Sequence, residues 1–120
     1  MRKPGRAPFI RCINLEQGRP LVRDALSQLE RELAVARQQK SIAIKIIHGY
    51  GSSGVGGDIR IAVQKRLREA QAQGAIRACI FGEDWSATDG QTWALLKSQP
   101  AFKSDADLGR GNRGITIVVL

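Results

Sequence analysis

An apolar run that ends in a histidine, breaks into glycine and serine, and resumes as a charged helical pattern leaves a chain few options. "IKIIHGYGSSGVGGDIRIAVQKRL" (Ile44–Leu67) is such a run. It predicts a buried strand over Ser41–His48, a turn, and a helix with Ile59, Ala62, Val63, Leu67 and Ala70 in one stripe. Asp58 supplies an N-cap or first-turn acid, and Gly74 a stop. A strand passing to a helix through glycines belongs to an α/β fold, where ligands collect at the carboxyl ends of strands. Gly49, Gly51, Gly54, Gly56 and Gly57 allow close approach of the backbone, and the helix amino end adds unpaired N–H groups. The turn, with Tyr50, Ser52 and Ser53 in it, reads as an anion site for phosphate or sulfate.

The flanks fit the same class. "FIRCINL" (Phe9–Leu15) reads as a first strand. Pro20 suits the first turn of a helix whose stripe is Val22, Leu26, Leu29, Leu33 and Ala36. "AIRACIF" (Ala75–Phe81) and "GITIVVL" (Gly114–Leu120) are further strands. Between them, residues 83–113 form a loop-rich excursion with a short helix over "DGQTWALLK". Its Pro, Asp, Ser and Gly content predicts the least ordered part of the chain. The expected architecture is an α/β two-layer sandwich, β-α-β-α-β-β. Its four-stranded sheet is mostly parallel, and right-handed crossovers place the helices on one face. All 120 residues form one domain, with a basic flexible arm at 1–7.

Charge narrows the partner. The formal net charge is +8. Residues 1–82 hold 15 basic and 6 acidic side chains, whereas 83–113 hold 4 and 5. A basic frame suits a polyanion, because each neutralised phosphate releases counterions. His48 and Arg60 are the expected phosphate contacts, with Lys65, Arg68 and Arg113 adding longer-range attraction. "VGGDIR" lacks the Gly-Lys-Ser/Thr of a P-loop. "GYGSSG" has dinucleotide-fingerprint spacing but follows the second strand rather than the first. Carboxylates do not cluster with His or Cys, so no metal and no cofactor is expected. Cys12 and Cys79 lie in apolar runs and read as buried free thiols. Trp85 and Tyr50 are candidates for stacking, and Trp93 is expected beneath the excursion. With no membrane-spanning run and no signal-peptide core, the expected compartment is the cytoplasm and no membrane partner is expected.

Motif order adds a family. "IIHGYG" (Ile46–Gly51), "GDIRIAVQKRL" (Gly57–Leu67) and "GNRGITIVVL" (Gly111–Leu120) together resemble the Smr (small MutS-related) domain. That family carries a strand into His-Gly-x-Gly, a following helix, and a glycine-led last strand. The resemblance implies a fold like the C-terminal domain of bacterial translation initiation factor three. It also implies binding of DNA or RNA by backbone or structure. Its alternative implication is a metal-independent endonuclease using His48, with Glu16 in a changed role. One motif departs: in "INLEQ" (Ile13–Gln17), Asn14 stands where the family has Asp and Glu16 where it has His. Since that motif is implicated in cleavage, the departure favours binding with weak or no cutting. A third reading is an anion-binding or protein-interaction module whose 83–113 segment docks a protein.

Overall fold

The computed structural model describes residues 10–18, 20–50 and 55–120. The basic arm expected at 1–7 and the turn residues Gly51, Ser52, Ser53 and Gly54 lie outside them. Four strands are present: β1 (Ile10–Asn14), β2 (Ala43–Ile47), β3 (Ala78–Phe81) and β4 (Ile115–Val119). Three α-helices accompany them: α1 (Val22–Gln38), α2 (Val55–Ala72) and α3 (Gly90–Ser98). Short 3₁₀ turns occupy Gly82–Asp84 and Pro100–Ser104.

The sheet order is β1-β2-β4-β3. β1 and β2 pair in parallel through the α1 crossover, with Ile13 opposite Ile46. β4 then runs antiparallel to both β2 and β3. Three strands therefore share a direction, as the crossovers require, and the reversed strand is inserted between two of them. This leaves β1–β2 as the single parallel pairing in this sheet.

Period-2 alternation sorts the strands into two faces. Ile13, Leu15, Ile44, Ile46 and Val118 pack with Leu29 and Leu33 of α1 and with Ile59, Val63 and Leu67 of α2. The stripe read from the α2 sequence is the one buried. Gly74 ends this helix at φ +78°, with Ala75 N donating to Ala70 O and Gly74 N to Gln71 O. Helix α1 ends in the same pattern, but with Lys40 at φ +60° in the glycine position.

The second face differs from the sequence reading. Ala43, Ile80, Ile115 and Ile117 are covered by Trp85, Leu95, Leu96 and Phe102 of the 83–113 segment, which adds a further layer. The segment is polar in composition, yet Trp85, Leu95, Leu96 and Phe102 all pack onto the sheet. Asp89 caps α3 by accepting from Thr92 N at 3.0 Å. A buried polar network ties the rest down. Lys45 on β2 donates to both Asp105 oxygens, Trp85 Nε1 donates to Asp105 Oδ2 at 2.9 Å, and Asn112 Nδ2 donates to Asp107 Oδ1. Two further expectations are corrected. Trp85 is fully buried while Trp93 is 54% exposed, with Lys97 over its ring. Cys79 is buried, but Cys12 points away from the helical layer and is exposed.

Candidate nucleic-acid interface

The carboxyl ends of β1 and β2 and the start of β4 converge. After β1, Asn14 Oδ1 accepts from Glu16 N at 3.0 Å and Gln17 N at 3.1 Å, folding the chain into an Asx turn. After β2, His48 N and Gly49 N both donate to Gly114 O, pinning this end to β4. Gly49 has φ +75°, and a Cβ there would stand 2.3 Å from Glu16 Oε1. The Glu16 carboxylate thus lies directly over a bare backbone. A cleft of about 250 Å³ opens beside it, lined by Glu16, Tyr50, Asp107, Asn112 and Gly114 among others.

His48 does not reach this cleft. It is fully buried. Its Nδ1 donates to Gly49 O at 2.7 Å, which leaves Nε2 to accept from the Thr116 hydroxyl at 2.9 Å. Burial holds its pKa below the ordinary value, so the neutral ring is the stable form. The two side chains read together as catalytic are therefore separated: Glu16 is exposed, and His48 is a hydrogen-bonded structural residue.

The cleft is acidic. Lys45, then Asn112, hold the Asp107 carboxyl below its usual range. A phosphate would meet Asp107 and the Glu16 carboxylate together. The basic candidates lie elsewhere, on α2 and on the approach to β4. Helix α2 follows β2, with Gly56, Gly57 and Asp58 in its first turn. Arg60 pairs with Glu83 at 3.1 Å and is a quarter exposed. Lys65 and Arg68 are exposed, Arg68 lying 4.7 Å over the Phe81 ring. Arg113 is also exposed. Among the described residues, no three or more His, Cys, Asp or Glu gather to hold a metal ion. No helix among them is long and apolar enough to cross a membrane.

Sequence reasoning missed Asp107, Asn112 and Gly114 as cleft residues. The glycine of Gly114 has a concrete reason: a Cβ would stand 3.1 Å from Asn112 Oδ1, 3.3 Å from Tyr50 Cδ2 and 3.4 Å from Gly49 Cα. The run "GNRG" carried that signal only as part of the strand motif.

The strand order, the crossover through α1 and the helix after the His-Gly turn define an Smr-like α/β fold. The chain is similar to the crystal structure of the Smr domain of Thermus thermophilus MutS2, with a TM-score of 0.58 at 18% identity. The match covers 92% of this chain and 98% of that one. At that identity the likeness is one of fold. No protein-family model matches the chain, and no curated protein matches it.

Proposed function

We propose that this chain is a nucleic-acid-binding domain that holds DNA or RNA by its backbone and does not cut it efficiently. The observation carrying the reading is helix α2. It begins beyond the carboxyl end of β2 with two glycines in its first turn, and it bears Arg60, Lys65 and Arg68. Unpaired N–H groups and a partial positive charge at a helix start favour phosphate. Lys65 and Arg68 extend that attraction along the helix. The net charge of +8 and the Smr-like fold support the same partner class. Cleavage without a metal needs side chains that move protons at the substrate. The one histidine is buried and neutral, and Asn14 is occupied in its own turn.

Fluorescence anisotropy on single-stranded and duplex DNA and RNA, at several salt concentrations, tests this. Binding should weaken steeply with salt, by roughly 0.7–0.9 in log–log slope per phosphate contact. Lys65→Glu with Arg68→Glu should flatten the slope. Salt-independent binding, or none, would sink the reading. Robust strand breakage on a denaturing gel would replace it with the endonuclease.

A further inference from the structure

The acidic cleft is a poor place for the phosphate that the rest of this surface attracts, yet it is built of parts that suit something else. Glu16, Tyr50, Asn112 and Gly114 meet around two bare backbone positions, Gly49 and Gly114. Tyr50 is 57% exposed and its ring edge lies against Gly114. Among the described residues, neither Glu16 carboxylate oxygen has a hydrogen-bond donor, whereas Asp107 is already engaged by Lys45 and Asn112. Asn112 has one amide hydrogen on Asp107 and its oxygen on Gly114 N, which leaves a second amide hydrogen. The site thus offers an exposed aromatic ring, a two-oxygen acceptor and an amide donor. Its volume of about 250 Å³ suits one flat ring system rather than a length of chain.

We propose that this cleft takes a single unstacked nucleobase, and that the Glu16 carboxylate selects guanine. This rests on the nucleic-acid reading above and adds a base preference to it. A carboxylate only accepts hydrogen bonds. Guanine alone presents two adjacent donors, N1–H and the 2-amino group, that match both carboxylate oxygens. Adenine and cytosine each set a ring-nitrogen acceptor beside their amino group. Uracil and thymine flank one N–H with two carbonyls. Each of these places a lone pair against Glu16. Tyr50 supplies the stacking surface that single-stranded recognition uses, while the basic helix holds the flanking phosphates.

The test uses short single strands differing at one position: guanine, hypoxanthine (which lacks the 2-amino group) or adenine. Anisotropy should rank guanine about tenfold above the other two, the scale of one bidentate base contact. Glu16→Gln keeps one acceptor and should bring the guanine-to-hypoxanthine ratio close to one. Equal affinities for all three strands in the native protein would overturn the base proposal and leave backbone binding standing. Free guanosine and inosine are titrated separately by amide NMR. Guanosine should shift Glu16, Gly49 and Gly114 more than inosine does. If no strand binds, the backbone reading fails and this titration decides the cleft. Equal or absent shifts there overturn the proposal.

Discussion

Lys45 Nζ lies 3.0 Å from Asp105 Oδ1, joining the centre of the sheet to a residue 60 positions later. The lysine side chain is 7% exposed, and Asp105 and Asp107 both face it. Replacing it strands two carboxylates under the added layer. Lys45→Met should therefore cost about 3 kcal/mol in chemical denaturation, the scale of breaking a buried ion pair.

The same pairs set the outer limits of pH stability. Burial opposes the Lys45 charge, but Asp107 and Asp105 outweigh it and raise the pKa above 10.5. Its contribution is complete below that value and is lost as pH rises through the higher folded value. Asp107 is lowered from 3.8, so its contribution is lost as pH falls below that value. Lys45→Met should remove the alkaline edge from a plot of unfolding free energy against pH and shrink the acidic one, since Asn112 still lowers the Asp107 pKa.

His48 produces a third dependence, nearer neutrality. Burial lowers its pKa from 6.5, so the unfolded chain takes up the proton first. Stability should hold above pH 6.5 and decline as pH falls from there toward the folded value. His48→Gln should abolish that decline. Thr116→Val strips the donor from buried Nε2 and should cost about 1–3 kcal/mol at neutral pH.

Gly82 is buried where the chain leaves β3, and a Cβ there would meet Asn112 O at 1.7 Å. The obstacle is backbone, so no rotamer relieves it. Gly82→Ala should destabilise by at least about 1–3 kcal/mol. It should also shift the amide resonances of Asn112 and Gly114, which line the cleft.

Lys40 closes α1 at φ +60°, a conformation that costs a side-chain-bearing residue about 1 kcal/mol. It is exposed, so glycine there loses no packing. Lys40→Gly should raise the denaturation midpoint, with a gain of up to about 1 kcal/mol after the extra unfolded-chain entropy is subtracted. A fall in the midpoint would mean that the lysine side chain contributes more than its backbone costs.

The β2–α2 unit was legible because its signals are local: a continuous apolar run, then a 3.6-residue stripe. The burial of His48 was legible too. It continues the even-numbered face of Ile44 and Ile46, the face the helices cover, although it stands directly before a glycine turn that suits a ligand. Lys45 carries a signal of another kind. A lysine inside a buried strand demands carboxylates, and "SDAD" (Ser104–Asp107) supplies them. The exchange of Trp85 and Trp93 was harder, since α3 is too short for its apolar face to be decided by spacing. The reversed insertion of β4 depends on pairing between distant segments, which no local pattern encodes.

That insertion has a consequence for how the chain folds. When the ribosome has made everything through β3, the middle of the sheet does not yet exist. β2 and β3 still present open hydrogen-bonding edges. Both faces of the gap are apolar, so the nascent molecule carries two unsatisfied templates for foreign strands. Only after residues 115–119 emerge can the sheet zip shut, between partners 76 residues apart in Ala43↔Val119 and 41 apart in Ala78↔Val119. Folding is thereby made a late, long-range event, slow for a molecule of this size. Substitutions that weaken β4 pairing should appear first as aggregation during synthesis, before any loss is measurable in the purified protein.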